Sequence, residues 1–203
     1  MKRLVFFNSK GGAGKSTLAV HTGVAAAYQR RTALLDADPQ GTLQAWGAAR
    51  ELDAPAVLPS PAANLLADLA RLEAQGVELA VIDCPPYITA ESTRLVEAAD
   101  FVVVPVQPTM PDIAGCRHAV EILRATGRPF AFVINRAPAR AAEVAQAHEA
   151  LREWGEVCPI VIGDRRSFSR ALANGQAVGE FDGDTAASRE AQEACDWILA
   201  KIK

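Results

Sequence analysis

The sequence predicts an α/β fold: a mostly parallel, twisted sheet with helices on both faces, built as one domain over residues 1–203. Three observations carry this prediction. Short apolar runs of strand length alternate with segments of helical periodicity along the whole chain, the pattern of βαβ units. The strand runs are apolar at consecutive positions, as strands buried on both faces must be. Polar or acidic residues close several of those runs, on the edge where open parallel sheets gather their ligands. A length of 203 residues, half of them apolar, suits a single sizeable core.

The first strand run, Leu4-Val5-Phe6-Phe7, leads into Asn8-Ser9-Lys10-Gly11-Gly12-Ala13-Gly14-Lys15-Ser16-Thr17. This fits the phosphate-binding pattern G-x-x-x-x-G-K-[ST], except that Ser9 stands where the first glycine belongs. Gly11, Gly12 and Gly14 let successive N–H groups turn inward on phosphate oxygens. The helix that follows, with Leu18, Ala19, Thr22, Ala25 and Ala26 on its pattern, adds its positive dipole end. Lys15 is placed to reach the β- and γ-phosphates of a nucleotide, and Ser16 to ligate Mg²⁺. The alternative, a glycine-rich turn with no ligand, leaves Gly-Lys-Ser-Thr after a buried strand unexplained.

Thr32 to Leu35 reads as the second strand, ending in Asp36-Ala37-Asp38-Pro39-Gln40-Gly41, where Pro39 and Gly41 stop it. The acids there suit a ligand edge or, equally, a capped turn. Thr42 to Arg50 is a short helix, Val57-Leu58 a short strand in a Pro-rich stretch, and Asn64 to Gln75 a helix stopped by Gly76. Glu78 to Asp83 is an apolar strand closed by an acid, the arrangement that holds Mg²⁺ directly or through water; a turn cap is the plainer alternative for Asp83. Phe101 to Val106 is a strand, and Ile113 to Ala125 a helix that Asp112 could cap. Phe130 to Arg136 is a strand with Asn135 at its carboxyl end, where an amide offers a base both a donor and an acceptor. A helix over Ala139 to Trp154 and a strand over Val157 to Ile162 follow. Asn174 to Asp184 reads as a Gly-containing surface loop near the nucleotide, and Thr185 to Ile202 as a closing helix.

Lys10-Gly-Gly-Ala-Gly-Lys15-Ser16 resembles the deviant Walker A box, K-G-G-x-G-K-[ST], of the ParA/MinD family of P-loop ATPases. Asp36-Ala-Asp38-Pro-Gln resembles that family's D-x-D-P-Q segment, and Asp83-Cys-Pro-Pro86 its D-x-P-P segment. The resemblance covers nearly the whole chain, whose shortness and lack of an N-terminal DNA-reading extension look like the small plasmid-type ParA proteins. It implies an ATPase with ATP and Mg²⁺ as cofactors, slow alone and stimulated by a partner. The phosphate cradle would be Gly11, Gly12, Ala13, Gly14, Lys15, Ser16 and Thr17. Metal would be held or supported by Ser16, Asp36 and Asp83, and Asp38 would position the attacking water. Lys10 would reach across an ATP-dependent homodimer to the other copy's phosphates; a solvated loop lysine is the bland alternative. Asn135, in the family's N-[RK] pair, would hydrogen-bond adenine. Pro108-Thr109-Met110-Pro111-Asp112 would lie at the dimer contact. Arg165, Arg166 and Arg170 would contact DNA backbone without reading sequence, unless they are simply a solvated basic turn.

The formal net charge of −3 gives no global basic field, so any nucleic-acid binding needs a local patch. Cys84, Cys116, Cys158 and Cys195 form no C-x-x-C pair and read as reduced thiols of a cytoplasmic protein. No apolar run approaches the ~20 residues that span a bilayer. MinD relatives end in a basic amphipathic anchor, but Glu190, Glu193 and Asp196 stand there here, so no membrane partner is expected. The leading expectation is a nucleoid-associated, DNA-surfing ATPase that partitions plasmid or chromosome with a ParB-like or adaptor protein. The alternatives are ParA-like positioning of a protein cargo, such as a carboxysome or chemoreceptor cluster, and a small-molecule phosphotransferase of the dethiobiotin synthetase type.

Overall fold

The strand that precedes the glycine-rich loop, β1 (Lys2–Phe6), is the central strand of a seven-stranded sheet in the computed structural model, which describes residues 1–138 and 142–202. Its neighbours are β4 (Leu79–Asp83) and β5 (Phe101–Val106). Beyond β4 come β2 (Thr32–Asp36) and the edge strand β3 (Ala56–Pro59); beyond β5 come β6 (Phe130–Ile134) and the two-residue β7 (Glu156–Val157). Every pairing is parallel. The register sets Phe6 opposite Asp83 and Asp83 opposite Asp36, so the acids ending β2 and β4 stand side by side next to the end of β1.

Successive strand residues face opposite sides, and the chain uses this to build two cores. Leu4, Phe6, Leu34, Val81, Val103 and Val133 face one layer of helices: α1 (Lys15–Ala27), α2 (Thr42–Ala49), α8 (Arg166–Ala173), α9 (Val178–Phe181) and α10 (Ala186–Ala200). Val5, Leu35, Ile82, Val102, Val104 and Phe132 face the other: α3 (Leu65–Ala74), α4 (Ala90–Glu97), α5 (Met110–Gly115), α6 (Arg117–Thr126) and α7 (Glu143–Arg152). These side chains are fully enclosed. At roughly 1.5–3 kcal/mol for each large apolar group removed from water, they make the sheet the rigid platform on which its carboxyl edge is held.

The structure departs from the sequence-based elements in five places. Helix α4 has no counterpart in the sequence analysis. It buries only Leu95 and Val96 among its apolar residues, and its capping box pairs Thr89 with Ser92 rather than with Glu or Gln. The helix expected over 113–125 is two, α5 and α6, meeting at Cys116. The expected strand over 157–162 shrinks to β7, because Pro159 has no N–H for the ladder; an Ala137–Gly163 bridge resumes the pairing further on. The helix expected from Ala139 starts, among described residues, at Glu143; residues 139–141 lie outside them. The stretch 174–184, expected as a surface loop, is not one. Ala177 and Val178 are apolar and pack into the core under α1 and α10, and the stretch includes α9.

Candidate nucleotide site

The loop between β1 and α1 is braced from outside by the ends of β5 and β6. Asn135, 3% exposed, donates its amide N–H to the Ala13 carbonyl at 2.9 Å. Gln107 and Arg136 both donate to the Gly12 carbonyl, at 3.1 and 3.3 Å. Asn8 donates to the Pro105 carbonyl at 2.7 Å and accepts from the Lys10 N–H at 3.1 Å. Gly14 caps α1 in the left-handed region (φ 98°), and a Cβ there would lie 2.0 Å from the Asn135 amide nitrogen, so only glycine fits. Asn135 was expected to recognise adenine; one of its two amide N–H groups holds the loop, which leaves the second N–H and the oxygen for a base.

Lys15 lies at the foot of the loop, 6% exposed, with its ammonium 3.3 Å from the Lys10 carbonyl. Burial pulls its pKa down from the usual lysine range, against the opposing fields of Asp83, Cys84 and Asp38. Asp83 is fully enclosed and neither carboxylate oxygen has a hydrogen-bond partner. Burial raises its pKa to about 7; the nearby Ser16 hydroxyl and Lys15 ammonium oppose the rise, although Ser16 makes no hydrogen bond of good geometry, and Asp36 and Asp38 add to it. An orphaned carboxylate beside a hydroxyl fits a hard, oxygen-seeking dication such as Mg²⁺, which takes one or two protein ligands and fills its shell with phosphate and water. Among the described residues no group of three or more His, Cys, Asp or Glu gathers as a metal cage.

The other two acids divide their work. Asp36 accepts from the Asp38 N–H at 3.2 Å with one oxygen, and from the Gln44 N–H at 3.0 Å and its amide at 3.4 Å with the other. It therefore secures the start of α2, and the expected support of a metal shell could come only through these engaged oxygens. Asp38 accepts from the Gln40 N–H at 3.0 Å and lines the cleft together with Lys15 and Ser16.

That cleft encloses about 930 Å³, within the size range of ligand sites. The glycine-rich loop forms one end; Arg136, Gly163, Asp164, Arg165, Arg166 and Phe168 form the other. The three-arginine DNA edge expected at 165–170 is not presented as three free charges. Arg165 forms a fork with Glu190 of α10, and Arg165 and Arg166 both border the cleft. Arg166 and Arg170 are exposed and have no ionic partner among the described residues. Reading the sequence missed Arg136, which pairs with Asp164 at 3.5 Å and sits at a left-handed φ of 54°. Its place after Asn135 at a strand end was the available signal. Gln107 and Glu190 carried no local signal at all.

All four cysteines are buried and unpaired, and burial pushes Cys116 and Cys158 up to about 11 and Cys195 to about 12. No helix among the described residues is long and apolar enough to cross a membrane.

The comparisons agree with this geometry. The model of the CobQ/CobB/MinD/ParA nucleotide binding domain matches residues 4–178. A "Maintenance of carboxysome distribution protein A" from Gloeobacter kilaueensis is 32% identical over 91% of this chain and 87% of its own. Its namesake from Halothiobacillus neapolitanus is 27% identical over 98% of this chain and 95% of its own. Among solved structures, an ATP complex of an aspartate-to-alanine variant of Cyanothece McdA superposes with a TM-score of 0.80 at 20% identity, covering 100% of this chain and 97% of that one. The MinC:MinD complex of Aquifex aeolicus gives 0.82 at 17%, covering 98% and 96%, a likeness of fold. With a phosphate loop, paired strand-end acids and a family model spanning most of its length, the chain belongs to the ParA/MinD family of deviant Walker A P-loop proteins.

Proposed function

We propose that this chain is an ATP-driven positioning ATPase whose cargo is a protein assembly of the carboxysome kind. The observation that carries the proposal is near full-length similarity to two carboxysome distribution proteins, whereas the chromosome-partitioning relatives, such as Soj of Treponema pallidum, match only 54% of the chain. Partition of a plasmid or chromosome, the leading expectation from sequence, is the less supported cargo.

The site residues take complementary roles in this reading. The Gly11–Thr17 loop and the buried charge of Lys15 bind and orient the β- and γ-phosphates. Ser16 and Asp83 would hold Mg²⁺, which supplies neutralisation of phosphate charge. Asp38, at the cleft wall, orients the attacking water. Lys10 of a second copy completes the charge array, so hydrolysis is slow until a dimer forms and an adaptor protein acts. Catalysis is then positioning and electrostatics rather than covalent chemistry. Exposed Arg166 and Arg170, doubled in a dimer, supply a modest salt-sensitive grip on nonspecific DNA, the track on which the cargo is carried.

Two experiments test this. Anisotropy of a labelled random-sequence duplex should rise with protein and ATP but not with ADP. It should persist longest for Asp38→Ala, and weaken for Arg166→Ala/Arg170→Ala with a flatter salt dependence. Deleting the gene should leave protein microcompartments clustered in the source cell while plasmid and chromosome inheritance stay normal. Loss of a plasmid with normal compartment spacing would return the reading to DNA partition. ATP consumption only on addition of a small organic acceptor, with no dimer, would favour a phosphotransferase.

A further inference from the structure

The end of the cleft opposite the phosphate loop is shaped by a residue that does not itself line it. Glu190, on α10, accepts the Gly163 N–H at 3.0 Å and the Arg165 Nε–H at 3.2 Å with one oxygen, while its other oxygen takes an Arg165 Nη2–H. Gly163 and Arg165 both border the cleft. The segment is tied on its other side as well: the Ala137 N–H donates to the Ile162 carbonyl at 3.0 Å, and the Asp164 N–H to the Ala137 carbonyl at 2.8 Å. Residues 162–165 are thus suspended between the end of β6 and α10, with no regular strand of their own.

A guanidinium held by two parallel bonds is fixed in its plane. Here that plane lies against Gly163 so closely that a Cβ there would sit 3.2 Å from both Nε and Nη2 of Arg165. The glycine leaves room for the guanidinium, and Glu190 keeps it flat. With its charge answered by Glu190, Arg165 is less suited to grip a phosphate and better suited to offer a planar face. Planar guanidinium groups are stacking surfaces for nucleobases.

We propose that Arg165, flattened against Gly163 by Glu190, is the shelf on which the base of the bound nucleotide stacks, and that Glu190 is the positioning residue that fixes it. This rests on the reading of the cleft as a nucleotide site. Glu190 then acts on affinity for the nucleoside part and not on the phosphate loop.

The test is calorimetric titration of the full chain with Mg-ATP and, separately, with Mg-tripolyphosphate, which has the phosphates but neither base nor sugar. Glu190→Ala and Arg165→Ala should each weaken ATP roughly tenfold, the order expected for one lost base-stacking contact, and leave tripolyphosphate unchanged. Glu190→Gln, which retains an acceptor for the Gly163 N–H but loses the ion pair, should fall between wild type and Glu190→Ala. Equal losses for both ligands would mean a merely structural role and would overturn the proposal, as would unchanged ATP affinity in Arg165→Ala, a variant that leaves Gly163 tied to Glu190. If the wild type binds neither ligand, the nucleotide reading itself fails and the shelf goes with it. If the wild type binds both and only the selectivity is missing, the shelf fails alone.

Discussion

The Lys10 ammonium lies 2.7 Å from the Asp112 carboxylate, so the lysine expected to reach into a second copy is held by α5 of its own chain. Asp112 is itself set by Thr109, whose hydroxyl bonds both its carboxylate and its N–H, and the adjacent Ser9 hydroxyl donates to the Gly115 carbonyl at 3.2 Å. The pair is half-exposed at Lys10, which limits its worth to about 1 kcal/mol. Dimer formation through Lys10 must break it. Asp112→Asn should therefore shift ATP-dependent dimerisation to a few-fold lower protein concentration, measured by light scattering after size exclusion. Lys10→Ala should abolish dimerisation in either background. A weaker dimer in Asp112→Asn would mean that Asp112 acts across the interface instead.

Lys15→Gln should lose nucleotide binding and, with it, any ATP-dependent dimer. The amide can still contact the Lys10 carbonyl but brings no charge to the phosphates. Loss of a charge-assisted contact in a half-enclosed site costs roughly tenfold in affinity or more. Titration calorimetry measures it, and a variant that dimerises normally with ATP would remove the phosphate role of Lys15.

Asp83→Asn should separate stability from function. The wild-type carboxylate is enclosed with no hydrogen-bond partner, a position that costs folding energy unless a cation answers it. In metal-free buffer at neutral pH the variant should melt about 2–4 °C higher, the shift that corresponds to ~1 kcal/mol in a chain of this size. Nucleotide binding should at the same time lose its dependence on Mg²⁺. A lower melting temperature would show that the carboxylate has a protein partner in solution.

His21 should give the fold an acid-sensitive joint. Its Nδ1 faces the Thr17 carbonyl at 2.6 Å and so carries the proton, and its Nε2 accepts the Val178 N–H at 3.0 Å. Burial brings its pKa down from 6.5 to about 4, outweighing the Thr17 carbonyl and the field of Glu180. The unfolded chain takes up this proton near pH 6.5 and the folded chain only near pH 4, so stability falls as pH drops through that window and is unaffected above it. That depression corresponds to about 3 kcal/mol of stability lost at the acid end. Denaturant midpoints for His21→Gln should be flatter between pH 6.5 and pH 4 than those of wild type; parallel curves would mean His21 titrates normally.

Much of the cleft was legible because its chemistry is local. Lys15 and Ser16 follow a glycine cluster at fixed spacing, and Asp83 closes an apolar strand; neighbours in sequence are enough to place them on the ligand edge. Asp36 was placed on that edge correctly, yet its oxygens turned out to be engaged at the start of α2, which depends on where Gln44 folds back. Helix α4 escaped notice because its apolar content is small until the sheet beneath it is known.

By itself the sequence determined the strand–helix alternation, the parallel sheet, the phosphate loop and the acids beside it, since periodicity and short-range spacing are properties of the chain alone. Only the tertiary structure decided the rest. It tied Asn135 to Ala13 across 122 residues and His21 to Val178 across 157, and set Lys10 on Asp112 and Arg165 on Glu190. Each of these partnerships joins residues from different elements. The sheet order that brings such elements together is a collective result of burying both faces, and no segment of the sequence carries it alone.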